Sequence, residues 1–396
     1  MLVSESHLSQ HHLFRIKNTE INEIYAVMSV RSTIVSLINI FIPIYLYTIT
    51  YSIQAIILYY LIMFVVEAIL EYPAMRLIAH FGPKHSIAFS LPFLVLNFWT
   101  LWTYPQYHWP IWLIAILGSV TMAFFWQAYH YDFSKSKEKK RTTKQISTLY
   151  IIIAFLSALG PLVGGIIAQK FGLNMLFGIV TGLVLLTIFP LFVQREPHIK
   201  HKPQIRKIFN KNILRQIVAY GGSGVEASTT MIFWPLFLFF VLGTYQQVGF
   251  VVAASLAVTV IVTYLIGHVA DRKSKKYFIN VGGLLTAALG ALRIFVYSLT
   301  TAIIVNLLRG VTHSMYESPF VAEYYLHADE QSRTEYIFLM EFGIDLMRVL
   351  FFAILFAISF YLTGPQLLVW ALLIGAVFTF LLTLMPAAKN EKNAIN

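Results

Sequence analysis

Residues Ile40–Tyr47 read IFIPIYLY, and 192 positions further on Ile232–Phe239 read IFWPLFLF. Both octets are apolar and aromatic, and both hold a proline in the fourth place, Pro43 and Pro235. A 396-residue chain that repeats such a stretch at about half its length is built from two related halves, and a repeat of that period governs the whole architecture.

Outward from each octet the apolar character continues. Hydrophobic residues make up 58% of the chain and charged residues 12%, and the mean hydropathy is +0.70. Those values are far more apolar than an ordinary soluble domain and place the chain in a bilayer. A spanning helix needs about 20 apolar residues. Runs of that kind occur at 22–48, 54–79, 86–103, 110–132, 146–169, 174–194, 213–241, 248–270, 277–298, 301–326, 334–361 and 366–386. The expected fold is therefore an all-α integral membrane protein of 12 transmembrane helices. The octets fall in helices 1 and 7, the first helix of each half.

Residues 1–20 are polar and show no cleavable signal peptide, so the first spanning helix is expected to direct insertion. The absence of cysteine excludes disulfides, thiolate metal sites and cysteine nucleophiles. A formal charge of +11 raises nucleic acid as a partner, but placement decides otherwise. Most Lys and Arg fall in the N-terminus, in every second loop or in the C-terminus, while TITYSIQ, TYPQYHW, LGTYQQV, YSLTT and LTGPQ carry none. By the positive-inside rule both termini are cytoplasmic, and the charge orients the chain instead of binding nucleic acid.

The longest break in the apolar pattern is QREPHIKHKPQIRKIFNKNILRQ, Gln194–Gln216, with Pro197 and Pro203. It divides the chain into an N-terminal six-helix bundle, 1–194, a cytoplasmic linker, 195–212, and a C-terminal six-helix bundle, 213–396. Six helices per half make the halves parallel repeats about an axis along the membrane normal.

Between helices 8 and 9 stand Gly267-His-Val-Ala-Asp271-Arg272-Lys-Ser274-Lys275-Lys276. This stretch resembles the loop motif of the major facilitator superfamily, a glycine with an acid four residues on, an arginine and a basic tail, although Ser274 stands where that motif has a glycine. The first-half copy keeps Gly82 and Lys84 but has Ala79 at the acidic position. Gly160-Pro161-Leu-Val-Gly164-Gly165 in helix 5 resembles the core of the motif of that superfamily's drug:proton antiporters, and reads equally as a packing notch of small residues. The resemblance implies two pseudo-symmetric bundles around a central cavity, with Gly267, Asp271 and Arg272 serving a conformational switch. It also implies helix bends at Pro43, Gly160, Pro161, Gly164, Gly165 and Pro235.

A charge at the bilayer centre costs about 2.5–3.5 kcal/mol, so each intramembrane charge asks for a reason. Helices 3, 6 and 12 carry none, and Arg293 stands near the outer end of helix 9, where it is expected to snorkel. On helix 10, Arg309, His313 and Glu317 are four apart and share a face; on helix 11, Glu341, Asp345 and Arg348 form a similar stripe. Helix 1 adds Arg31, helix 2 adds Glu67 and Glu71, and helix 7 adds Glu226 about midway. The substrate and proton-coupling candidates are Glu226, Glu67, Arg309, His313, Glu317, Asp345, Arg348 and Arg31. Glu226 has no base within two turns of its own helix and needs a partner from another helix, a proton or a cationic substrate. His313 either relays a proton or bonds Glu317. Tyr45, Tyr47, Trp126, Tyr129, Trp234, Phe237 and Tyr316 read as an aromatic wall or as packing.

Gly222-Ser-Gly224-Val-Glu226-Ala227 mimics a dinucleotide fingerprint, but no strand precedes it. His7, His11, His12, His198 and His201 have no fixed geometry, so no metal site is assigned, and no cofactor or catalytic residue stands out. The expected activity is transport of a small-molecule substrate by a monomer in the bacterial inner membrane, coupled to protons. Export of amphipathic or cationic compounds is the first reading. Uptake of a small polar or anionic solute, and a membrane sensor or assembly protein without turnover, are the alternatives.

Overall fold

The computed structural model describes residues 19–137, 142–187, 202–270 and 274–388, and among them every regular element is a helix. In chain order these are α1 (Thr19–Ser36), α2 (Ile42–Thr50), α3 (Ile53–Phe81), α4 (Pro83–Trp102), a short α5 (Tyr104–Tyr107), α6 (Ile111–Ser136), α7 (Thr142–Ser157), α8 (Gly160–Phe171) and α9 (Leu173–Val184). After the linker come α10 (Lys211–Ser228), α11 (Trp234–Leu242), α12 (Tyr245–Ala270), α13 (Lys275–Leu292), α14 (Leu299–Glu330), α15 (Arg333–Ile358) and α16 (Pro365–Thr379). Nine helical stretches among the described residues are long and apolar enough to cross a membrane, and Leu173–Thr187 is a shorter apolar one. The α14 and α15 helices span 32 and 26 residues and hold most of the intramembrane charge.

Caps and breakers set the ends. The Ser52 hydroxyl accepts from Ala55 N at 3.2 Å to open α3, and Ser298 with Thr301 closes a capping box on α14. At the other ends, Gly82 (φ 97°) stops α3 and Gly243 (φ 78°) stops α11, in backbone that side-chain-bearing residues avoid. Pro73 sits inside α3 without ending it.

The two octets interrupt their spans in opposite ways. Before Pro43 the chain tightens into a 3₁₀ turn, Asn39–Phe41, between α1 and α2. Before Pro235 it widens into a π turn, Thr229–Phe233, between α10 and α11. Proline lacks the N–H that would close the preceding turn, so each site is free to depart from α geometry. The span 146–169 is likewise two helices, α7 and α8, with Gly160 and Pro161 at the restart. The segments that carry the octets face each other at their edges: the Tyr47 and Phe240 rings lie 4.9 Å apart, and Asn39 Nδ2 approaches Met231 Sδ at 3.7 Å.

Most contacts between residues before and after the linker run along two seams, α3 against α15 and α7–α8 against α12. The second seam is tight because it is lined by glycine. A Cβ on Gly249 would lie 2.1 Å from Pro161 O and 3.3 Å from Gly165 Cα. Gly164 presses on the first octet's helix, where a Cβ would lie 1.9 Å from Leu37 O. At the far end of the helices Lys137, closing α6, pairs with Asp329 near the end of α14 at 2.7 Å.

Arg293 does not snorkel: it is 3% exposed and turns inward. The expected spans at 22–48, 146–169 and 213–241 are present, each interrupted where a proline-centred bend is expected. The run 174–194 is described only to residue 187, where α9 passes into a 3₁₀ turn. Gly267 lies within α12, while Asp271 and Arg272 fall outside the described residues.

Candidate functional site

Two buried polar clusters lie where the sequence concentrates its charges. The first is built on α10, where Gly221, Gly222 and Gly224 let the helix press against α15 and the chain's last helical span. A Cβ on Gly224 would lie 2.5 Å from Ile344 Cγ2, so these glycines serve helix packing and not a nucleotide. One turn on, Glu226 is 4% exposed. Its Oε1 receives Arg309 Nη2 from α14 at 3.2 Å and the Thr230 hydroxyl at 3.0 Å, and its Oε2 receives the Tyr316 hydroxyl at 3.1 Å.

Thr230 belongs to the π turn, and its oxygen also accepts from both terminal nitrogens of Arg293, at 3.1 and 3.2 Å. The Arg293 guanidinium lies 5.0 Å from the Trp234 ring centroid, and Trp234 Nε1 donates to Asn306 Oδ1 at 3.3 Å. Glu226 thus finds its partners on other helices. His313 Nδ1 pairs with the Tyr316 hydroxyl at 3.1 Å and not with Glu317, which corrects one expected pairing. Glu317 instead accepts from Tyr150 of α7 at 3.3 Å, across the glycine-lined side of the molecule.

The second cluster fills the α3–α15 seam. Glu67 and Glu71 stand one turn apart on α3, and Glu341 and Asp345 one turn apart on α15, so each pair shares a face. One carboxylate oxygen from each of Glu67, Glu71 and Asp345 lies within 4.8 Å of the other two. Arg348 Nη1 reaches Asp345 Oδ1 at 3.3 Å, and its Nε donates to Gly224 O at 3.3 Å, tying this cluster to α10. The Arg348 guanidinium also lies 4.9 Å from the Phe64 ring centroid. From α6, Gln127 Nε2 donates to the Glu71 backbone oxygen at 3.1 Å and to the Glu71 carboxylate. His130 Nε2 faces Glu341 Oε1 at 3.7 Å while its Nδ1 meets the Tyr325 hydroxyl at 2.7 Å.

Several buried atoms in this seam have no hydrogen-bond partner: Glu67 Oε2, Asp345 Oδ2 and Gln127 Oε1. Arg31, on α1, lies outside both clusters. It is 6% exposed, stacks on Phe125 with 3.7 Å from guanidinium carbon to ring centroid, and leaves Nη1 without a hydrogen-bond partner.

Sequence reasoning missed Gln127, His130, Thr230 and Arg293 as members of these clusters. Neutral Gln and Thr give no charge signal in an apolar run. Their inward placement follows from helix rotation, which a single sequence does not fix.

Comparison with curated proteins finds no relative. Among solved structures, a bacterial homologue of the iron transporter ferroportin in its outward-facing state is similar at 15% identity with a TM-score of 0.66, over 92% of this chain and 98% of that one. The E. coli fucose:proton symporter is similar at 12% identity with a TM-score of 0.65, over 92% and 97%. At such identities the likeness is one of fold. The family description Major Facilitator Superfamily matches residues 24–352, most of the chain, and with the helical architecture it shows that this multi-pass membrane protein belongs to that superfamily of transporters and is not an enzyme.

Proposed function

We propose that the chain is a proton-coupled secondary transporter that moves a small molecule by alternating access. Its twelve spans would form two six-helix bundles, residues 1–194 and 213–396, joined by the linker 195–212, with both termini in the cytoplasm of a bacterial cell. The observation that carries the coupling is the charge imbalance of the α3–α15 seam. Glu67, Glu71, Glu341 and Asp345 are all buried there, and Arg348 is the guanidinium bonded among them. Uncompensated buried charge is costly, so protons or a cation must make up the difference, and a site shared between bundles is where such a load can drive rocking. Glu226, Arg309, His313 and Glu317, gathered on α10 and α14, would bind the solute, with Gly267, Asp271 and Arg272 acting in the switch.

One fold serves different solutes, and its similar structures include a homologue of an iron transporter and a sugar symporter. A surplus of buried acid favours a cationic or amphipathic solute carried outward in exchange for protons. The second reading, uptake of a polar or anionic solute, is favoured by the unpartnered Nη1 of buried Arg31.

The test is purified protein in liposomes under an imposed pH gradient, followed with lipophilic cationic dyes and, in parallel, organic anions and sugars. Gradient-driven movement of cations that is lost in Glu67→Gln and in Glu226→Gln supports the first reading. Movement of anions alone, lost in Arg31→Gln, supports the second. Movement indifferent to the pH gradient with every solute would overturn proton coupling.

A further inference from the structure

The α3–α15 seam has the makings of more than a proton store. Three carboxylates, those of Glu67, Glu71 and Asp345, present oxygens within 4.8 Å of one another. Oxygen ligands at 2.0–2.6 Å from one ion stand about 3–5 Å apart, so the spacing suits a single ion. Burial alone would not make this a site, but the surrounding atoms point the same way. Glu67 Oε2 and Asp345 Oδ2 have no hydrogen-bond partner. Neither has the amide oxygen of Gln127, a 1% exposed side chain on α6 whose nitrogen is held against Glu71. Arg348 engages Oδ1 of Asp345 and leaves Oδ2 open. With Glu341 beside them, four carboxylates against one guanidinium leave three negative charges, so one divalent cation stands in for two protons while the third stays in the seam. The donors are all oxygen, no cysteine exists in the chain, and His130 is turned to Tyr325 and Glu341. Such a set selects a hard cation of the Mg²⁺, Mn²⁺ or Ca²⁺ kind over zinc or copper.

The geometry points to a site for one hard divalent cation held by Glu67, Glu71 and Asp345, taken up as two protons leave. The inference rests on the seam's being the coupling site, and adds that a metal ion and protons compete for it. Because Glu67 and Asp345 belong to opposite sides of the seam, the bound ion clamps α3 to α15 and holds that interface closed until protons displace it.

Manganese itself is the probe. Purified full-length protein is titrated with Mn²⁺ and the free ion followed by electron paramagnetic resonance, while proton release is read in buffers of different ionisation enthalpy. The expected result is one ion bound per chain with about two protons released. Asp345→Asn and Glu67→Gln should each weaken binding about ten-fold or more. Glu323→Gln, a buried acid elsewhere on α14, should bind as the unaltered chain does. Absence of Mn²⁺ binding by the unaltered chain at millimolar concentration overturns the inference, whatever the variants do. So does binding that survives both substitutions. Either failure alongside intact gradient-driven flux in liposomes removes the metal site alone, whereas loss of gradient dependence with Mn²⁺ binding intact removes proton coupling alone.

Discussion

Lys137 Nζ lies 2.7 Å from Asp329 Oδ2, with the two side chains 1% and 4% exposed, so a sealed ion pair joins the end of α6 to the end of α14. Arg333 completes the knot: its Nη2 meets Asp329 Oδ1 at 3.0 Å and its Nε donates to Ser134 Oγ at 3.0 Å. One carboxylate therefore takes two cations from opposite sides of the linker.

Removing one partner of a buried pair costs about 3–5 kcal/mol. Asp329→Asn should shift the protein by that amount toward a state open at this end. The chain has no native cysteine, so a cysteine introduced at Tyr325, which packs on Phe133 with centroids 4.8 Å apart, reports opening directly. Its thiol modification should accelerate in Asp329→Asn. A rate unchanged from the Asp329 background would show that the pair is not a latch.

The Glu226–Arg309 contact should behave as one unit. Glu226→Ala and Arg309→Ala each strand a buried polar partner, and together they remove the conflict. A double-mutant cycle read by thermal unfolding in detergent should give a coupling of about 1–3 kcal/mol, with the double variant more stable than the sum of singles. Additive losses would mean that the 3.2 Å contact contributes little.

Helix contact through glycine makes a steric prediction. Gly249→Ala places a methyl 2.1 Å from Pro161 O and should destabilise the α8–α12 seam by about 1–3 kcal/mol and slow flux. Gly182→Ala, whose added methyl meets nothing within 4 Å, is the matched control and should leave both unchanged. Unfolding temperature and initial transport rate, measured for the pair, decide it.

At the start of α14, Ser298→Ala removes one half of a reciprocal cap, the bond Thr301 N donates to the Ser298 hydroxyl at 3.3 Å, and leaves the bond that backbone N of residue 298 donates to Thr301 Oγ1 at 3.1 Å. The expected loss is about 1 kcal/mol, and Ser298→Asp should restore most of it, because either side chain can accept from the first turn. Hydrogen exchange in residues 299–303 is the appropriate readout.

Much of this architecture was legible because its signals are local. Length and hydropathy mark the spans, and Pro43 and Pro235 mark where two of them are interrupted. Glu226, Arg309, Asp345 and Arg348 stood out since charge in an apolar run is costly wherever it points. What rotates around a helix axis was not legible. Arg293 looked like an interfacial residue by its place in the chain, yet its azimuth turns it toward Thr230. His313 and Glu317 are one turn apart and invited pairing, yet Tyr316 and Tyr150 took those positions. Glu67 and Asp345 are separated by most of the chain, and their convergence depends on the docking of two helices that no local pattern encodes.

The opening octets also carry a consequence that their likeness conceals. Ahead of one proline the backbone is overwound into 3₁₀ geometry, and ahead of the other it is underwound into π geometry. An extra residue in a turn offsets everything beyond it by about 100° relative to an unbroken helix. The two look-alike segments thus present differently phased faces to the centre of the molecule, and the twofold likeness of the sequence becomes a handed, unequal pair in space. Thr230 faces Glu226 and Arg293 from within the loosened turn, whereas Asn39, in the tightened one, reaches across to Met231.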